Sequence, residues 1–300
     1  MLAPIRASLT TRRVVVVADG SLLYVPFAAL PAPSRGSEKG GDPLVAGHDI
    51  VMLPSASALD ALRRSARPRS THDRELVVFA DPVLTGNDPR VAARSRTIAT
   101  DGAVQSLARL PFARAEADAI AALAPRGQTL QALGFEATRD RAFAELGRAR
   151  LVHFATHALV NDERPELSGI ALSTVDRGGD PIDGFLRLRD VYNLRLNADL
   201  VVLSACRTAL GKELRGEGFI GLTRGFLYAG APAVVASLWD VRDRSTAELM
   251  TRFYRSMLRD GLPPAAALRA AQASMWRDPL WSAPAHWAGF ILEGDWRTKN

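Results

Sequence analysis

Residues 199–243 read DLVVLSACRTALGKELRGEGFIGLTRGFLYAGAPAVVASLWDVRD and contain two short apolar runs separated by an amphipathic segment. The runs Leu200–Leu203 and Ala233–Ser237 lack polar alternation, which is typical of parallel strands covered on both faces. Apolar residues recur at helical spacing over residues 219–230, which predicts the crossover helix that two parallel strands require. The stretch therefore predicts one strand, helix, strand unit of an α/β sheet.

The only cysteine of the chain, Cys206, follows the first of these strands. Open α/β sheets place their sites at the carboxyl ends of strands, although a single cysteine is more often a buried apolar residue. A second apolar run, LVHFATHA at residues 151–158, has His157 next to its end. If the two runs are neighbouring strands, His157 and Cys206 meet at the carboxyl edge of the sheet, as nucleophilic catalysis requires.

Several motifs occur in order along the chain: VADGSLLYVPFAAL at 17–30, HFATHA at 153–158, ELSGIALS at 166–173, the stretch at 200–243, and HWAGFILEG at 286–294. Together they resemble the CHAT domain, a bacterial member of the caspase-like clan that is related to separase. The resemblance implies an α/β fold, a three-layer αβα sandwich around a mostly parallel, caspase-like sheet. It also implies a helix carrying an acidic residue, a strand and a second helix before the histidine strand.

The resemblance further implies a cysteine peptidase site with two catalytic side chains. Cys206 would attack as a thiolate, and His157 would act as general acid and base. In the clan, the oxyanion is held by the backbone amides of the cysteine and of the residue after the histidine, which is usually glycine. Here those residues are Cys206 and Ala158. Alanine resists a positive φ, so this departure affects the expected geometry of the oxyanion hole without removing the donor.

The segment WDVRD at 239–243 resembles a separase segment near the residue that recognises substrate. By that resemblance, Asp240 or Asp243 would line the pocket for a basic residue before the cleaved bond. The structural alternatives are that Asp240 holds a loop and that Asp243 caps the next helix. His153 lies inside its strand on an alternating face, which favours a core histidine over a functional one.

The N-terminal part of the chain, residues 1–70, is predicted to contain a β-hairpin, a loop and a helix. Asp19 and Gly20 separate two apolar runs, which is typical of a tight turn between paired strands. Residues 75–300 would form the caspase-like catalytic core. We expect the two parts to form one integrated domain, a size that a chain of 300 residues allows.

Composition argues against several other classes of protein. The net charge is +6, but no basic run with interleaved aromatic residues occurs, which argues against a nucleic-acid partner. One cysteine excludes an internal disulfide framework, and neither a membrane span nor a secretion signal is evident, so a cytoplasmic location is expected. No glycine-rich phosphate loop and no metal-ligand spacing is found, so we predict neither cofactor nor metal, with calcium dependence left open.

The sequence therefore predicts a cysteine endopeptidase of the CHAT type that cleaves a protein substrate, with a preference for a basic residue as the separase likeness implies. The alternative is a caspase-like interaction module with weak or absent catalysis. No helical repeat period is visible in the chain, so any repeat-containing or regulatory partner is expected on another chain.

Overall fold

The structure is a computed structural model that describes residues 9–33, 41–65, 72–92, 107–161, 164–204, 206–209 and 217–297. Its strands are β1 Arg13–Val16, β2 Asp49–Met52, β3 Arg74–Ala80, β4 Thr129–Leu133, β5 Ala149–Ala155, β6 His157–Val160, β7 Gly169–Ala171, β8 Phe185–Arg187, β9 Leu200–Leu203, β10 Cys206–Ala209, β11 Ala233–Ser237 and β12 Phe290–Gly294. Its α-helices are α1 Ala56–Ser65, α2 Ala113–Ala121, α3 Arg139–Glu145, α4 Leu188–Tyr192, α5 Glu217–Tyr228, α6 Asp243–Leu258 and α7 Pro264–Arg277.

The central sheet has eight strands in the order β1-β2-β12-β11-β9-β5-β3-β4. Strands β11, β9, β5, β3 and β4 are parallel to one another. Strand β12 pairs with β11 in antiparallel fashion and is parallel to β2, which is parallel to β1. The strand, helix, strand unit predicted from residues 199–243 is β9, α5 and β11, at the centre of this sheet.

Helices cover both faces of the sheet, which confirms the three-layer αβα architecture. On one face, α2, α6 and α7 pack against inward-pointing residues such as Leu151 and Ala155. On the other face, α3, α4 and α5 pack against the alternate residues of the same strand, Val152 and Phe154. Because both faces are buried, the central parallel strand β9 is apolar throughout rather than alternating.

The predicted N-terminal hairpin is wrong. Strand β1 pairs with β2, and Gly20–Tyr24 forms a turn of 3₁₀-helix instead of a returning strand. The Asp19 carboxylate accepts a hydrogen bond from the amide of Gly20, and Val25 donates to the carbonyl of Leu22, so local bonds satisfy this backbone. Through β1 and β2, the N-terminal part contributes strands to the same eight-stranded sheet as the rest of the chain.

A second sheet of four strands, in the order β10-β6-β7-β8, lies beyond the carboxyl ends of β5 and β9. Strand β5 ends at Ala155 and β6 begins at His157, while β9 ends at Leu203 and β10 begins at Cys206. The neighbouring strands β5 and β9 therefore end at the same level of the central sheet. The segments that follow them, β6 and β10, are again neighbours in the small sheet. The candidate site lies at this junction.

Among the described residues, no helix combines the length and the apolar character that crossing a bilayer demands.

Candidate active site

His157 and Cys206 are brought together by strand pairing. The parallel ladder between β10 and β6 places Cys206 opposite His157 and Arg207 opposite Ala158. Both residues are the first of their strands, immediately beyond the central sheet. The two runs that the sequence predicts as neighbouring strands are indeed neighbours, through β5 with β9 and again through β6 with β10.

The imidazole of His157 is held by a backbone carbonyl. Its Nε2 lies 2.7 Å from the oxygen of Ala108, and only 7% of the residue is exposed. A carbonyl oxygen accepts but cannot donate, so Nε2 carries the proton. In the neutral ring, Nδ1 is then the nitrogen that can accept a proton from another group.

Burial lowers the pKa of His157 below its ordinary value of 6.5. The hydrogen bond to Ala108 and the charges of Asp240 and Asp243 act in the opposite direction. Because the burial effect is the largest, the ring is neutral at neutral pH. A neutral imidazole is the form that acts as a general base.

Asp243 and Asp240 occupy different surroundings beside the histidine. Asp243 is the first residue of α6, and its Oδ2 accepts a hydrogen bond of 2.7 Å from the amide of Phe112, just before α2. Burial raises the pKa of Asp243, and the Phe112 amide partly offsets this. Asp240 is exposed in the loop between β11 and α6, close enough for its charge to raise the pKa of His157.

Ala158 lies within β6, between strands β10 and β7, and is buried. Its φ is not positive, so its backbone is of a kind that alanine adopts without strain. The replacement of the usual glycine by alanine thus introduces no backbone conflict at this position.

A buried polar cluster that the sequence did not predict lies beneath the site. His153 donates from Nε2 to the Glu116 carboxylate at 2.9 Å, and its Nδ1 lies 3.2 Å from the Tyr254 hydroxyl. The same Glu116 oxygen accepts a bond of 2.6 Å from Ser204, two residues before Cys206. The core role predicted for His153 is confirmed, because the residue is fully buried and hydrogen-bonded on both nitrogens.

One partial signal for this cluster was present in the sequence. The family pattern implies a helix with an acidic residue before the histidine strand, and Glu116 is one of the two acidic residues of that helix, α2. The other members of the cluster come from β5, the end of β9 and α6, so only the packing of these elements reveals the contacts. The Ala108 carbonyl offered no signal, because a backbone oxygen has no characteristic residue type.

Two of the sequence motifs contact each other next to Asp240. The Trp239 ring lies against Gly289, where an added Cβ would come within 2.9 Å of the ring. The Leu238 amide also donates to the Gly289 carbonyl at 2.7 Å. The absence of a side chain at Gly289 therefore lets the loop after β11 lie close to the segment before β12.

The sequence matches the CHAT domain family over residues 1–295. The chain belongs to the CHAT domain family. Tetratricopeptide repeat protein 28 from Mus musculus and that from Homo sapiens are each 29% identical to this CHAT domain over 319 residues. The match covers 94% of the chain but 12% of either relative, so the chain spans about an eighth of their length.

Among solved structures, the CHAT domain is similar to the separase–securin complex of Saccharomyces cerevisiae. The structure at 3.0 Å gives a TM-score of 0.53 at 13% identity and covers 93% of this chain and 15% of that one. The structure at 2.6 Å gives a TM-score of 0.50 at 14% identity with the same coverage. At this identity the likeness establishes a caspase-like fold, and the chemistry must be argued from the residues.

Proposed function

We propose that this CHAT domain is a cysteine endopeptidase in which Cys206 is the nucleophile and His157 the general acid and base. The observation that carries the proposal is the ladder between β10 and β6, which sets the backbones of these two residues opposite each other. The tautomer of His157 supports it, because the bond to Ala108 puts the ring proton on Nε2 and makes Nδ1 the basic nitrogen. Membership of the family and the caspase-like fold agree with this assignment.

The reaction would proceed in two steps at a peptide bond. The Cys206 thiol gives its proton to Nδ1 of His157, and the thiolate attacks the substrate carbonyl carbon. The carbon–nitrogen bond then breaks, and the imidazolium protonates the leaving amine. Water hydrolyses the thioester with His157 as base, which releases the acid and restores the thiol.

The oxyanion formed in each step would be stabilised by the backbone amides of Cys206 and Ala158. Backbone amides contribute strongly at such a position because they are already oriented before the charge develops. The non-positive φ of Ala158 is compatible with this role.

For the substrate pocket we favour Asp240 over Asp243. Asp243 is only partly exposed, and its carboxylate accepts the Phe112 amide, which joins the beginnings of α2 and α6. Asp240 is exposed near His157 and can present its charge to a substrate. An exposed carboxylate at this place would select a basic residue before the cleaved bond through a charge-assisted hydrogen bond.

The partner of this domain would be a protein substrate, with regulatory or repeat-containing partners on another chain. Two matched relatives are named for tetratricopeptide repeats, and this chain corresponds to about an eighth of their length. A cytoplasmic location fits the proposal, because a nucleophilic thiol stays reduced there.

The test uses an electrophilic peptide probe with arginine at its reactive end. Because the chain has one cysteine, covalent labelling reports on Cys206 alone. We expect labelling of the wild type, none in Cys206→Ala, and labelling about 10² to 10⁴ times slower in His157→Ala. His48→Ala is the matched control, since His48 also bonds a backbone carbonyl, that of Thr11, but lies elsewhere.

The outcome that contradicts the peptidase is equally clear. A folded wild-type protein that neither reacts with the probe nor cleaves any member of a proteome-derived peptide library would favour the alternative, a caspase-like interaction module. Equal reactivity of the wild type and His157→Ala would remove the histidine from the mechanism.

A further inference from the structure

We propose that Asp81 and Arg109 are positioning residues that hold the Ala108 carbonyl against the His157 ring. The inference deepens the proposed function, because it assigns to this ion pair the control of His157 orientation. Arg109 follows Ala108 directly in the chain, so any group that anchors its side chain also limits the movement of that carbonyl.

The anchor is a two-pronged ion pair. Arg109 donates from Nε and Nη2 to the two carboxylate oxygens of Asp81, at 2.7 and 2.8 Å. Bidentate pairs of this kind fix orientation as well as distance, because the guanidinium is a rigid plane. The Asp81 side chain is 1% exposed and that of Arg109 is 46% exposed, so Asp81 lies in the protein interior and Arg109 extends to it from the surface.

Asp81 is itself held firmly at the end of a central strand. It follows β3, the neighbour of β5 that leads to His157, and its amide donates to the Ala155 carbonyl at 3.4 Å. Arg90 donates to both the carboxylate and the carbonyl of Asp81, each at 2.9 Å. The carboxylate thus has three donors, which stabilises a charge that is otherwise costly to bury.

The backbone of Asp81 supports a specific role for this residue. Its φ is +51°, the left-handed region that residues other than glycine rarely adopt. Aspartate and asparagine tolerate that region better than most residues do. This backbone conformation turns the chain away from β3, and the Asp81 carboxylate stays within hydrogen-bond distance of Arg109.

The apolar neighbours of Ala108 complete the support. Leu107 is buried in a small cluster with Leu84 and Leu159, and Leu110 packs against the main core. These contacts hold the segment in place but set no direction for the Ala108 carbonyl. We assign that direction to the Arg109 fork, which anchors the residue next to Ala108 in the chain.

The test replaces the two partners and observes the His157 ring directly. Protein with ¹⁵N-labelled histidine is compared by NMR for the wild type, Arg109→Met and Asp81→Asn, with His157→Ala to identify the signal. We expect a wild-type Nε2–H resonance protected from solvent exchange, and loss of that protection in both variants. Asparagine can adopt the left-handed backbone that residue 81 requires. If Asp81→Asn nevertheless fails to fold, Arg109→Met still tests the inference, because Arg109 is half-exposed and its replacement disturbs the core less.

A kinetic readout separates positioning from simple structural support. In Arg109→Met, kcat should fall about 10- to 100-fold with KM little changed, since the ring is misplaced but the substrate pocket is intact. Arg109→Lys, which retains the charge without the fork, should recover only part of the rate.

The matched control is Arg63→Met, which breaks a fork of the same type to Asp295, with bonds of 3.2 Å, away from the site. Neither the ring signal nor kcat should change in that variant. The inference is overturned if folded Arg109→Met keeps the protected Nε2–H signal, or if the wild type lacks that signal. Because the NMR readout needs no turnover, it decides the inference even if the domain proves not to be a peptidase.

Discussion

Cys206 and His157 are Cα partners at the first step of the parallel ladder between β10 and β6. Each residue is the first of its strand, and each preceding strand ends in the central sheet. The interruption of two neighbouring strands at one level brings these two residues to the junction of the sheets. The separation of the pair is thus set by strand register rather than by a flexible loop.

The charge of Asp240 is predicted to affect both specificity and pH dependence. Asp240→Asn should reduce the preference for a basic residue before the cleaved bond by about 10- to 100-fold, the loss of one charge-assisted bond. Asp240 raises the pKa of His157 against the larger effect of burial, so its removal lowers that pKa further. We expect the acid limb of kcat/KM, where His157 becomes protonated, to lie below pH 6.5 in the wild type and at a still lower pH in Asp240→Asn.

The measurement is a pair of pH profiles with peptides that differ only in that basic residue. Asp60→Asn, an exposed aspartate on α1, serves as the control and should match the wild type. An unchanged preference in Asp240→Asn would assign the pocket to another residue.

Glu293 of β12 is predicted to make stability fall as the pH rises. Burial raises the pKa of its carboxyl above the ordinary 4.5, with the Thr223 hydrogen bond and Arg224 opposing this shift. A raised folded-state pKa contributes stability that is complete below pH 4.5 and is lost as the pH passes the folded-state value. Glu293→Gln, which can still accept the Thr223 hydroxyl, should avoid that loss.

Thermal unfolding across pH 4 to 8 checks this expectation. The Tm of Glu293→Gln should equal that of the wild type at the acid end and exceed it at neutral pH. The exposed Glu136→Gln serves as the control. A difference in Tm that does not depend on pH would contradict the proposed titration.

Gly289 is predicted to be required for the position of the loop that carries Asp240. In Gly289→Ala, the new Cβ would come within 2.9 Å of the Trp239 ring, so the ring and its loop must move. We expect a loss of about 1–3 kcal/mol in the free energy of unfolding, as for other overpacked sites. Gly47→Ala, where nothing lies within 4 Å of the added Cβ, should be close to neutral.

The two glycine variants are compared by denaturant unfolding, with Trp fluorescence as the local probe. Equal stability of Gly289→Ala and the wild type would show that the ring can shift without cost.

The Tyr254 hydroxyl is predicted to stabilise the buried cluster beneath the site. Tyr254→Phe leaves the ring packing in place but removes the partner of His153 Nδ1, which lies in a fully buried ring. The cost should be about 1–3 kcal/mol, the penalty of an unsatisfied buried polar group. Tyr192→Phe, at a residue that is 43% exposed, should cost much less. Chemical denaturation of both variants measures the difference, and equal costs would contradict the prediction.

Much of this fold could be predicted from local sequence pattern. Residues 200–203 and 233–237 are strands at the predicted positions, because β-branched apolar runs have few alternatives in a doubly covered sheet. The prediction of an N-terminal hairpin was wrong because a turn signal at Asp19 does not reveal which strand β1 pairs with. Strand β1 pairs with β2, and the place of β2 in the sheet is set by its pairing with β12, from the other end of the chain.

The sequence by itself determined the residue types of the site, the cysteine and the histidine after two apolar strands, because short-range patterning and ordered motifs carry that information. Only the tertiary structure showed the polar contacts in and beneath the candidate site. The Ala108 carbonyl, the Asp81–Arg109 pair and the Glu116 cluster join segments that are distant in the chain. A backbone oxygen has no residue signature, and an ion pair is defined by packing that brings its two partners together. No local sequence pattern therefore predicts these contacts.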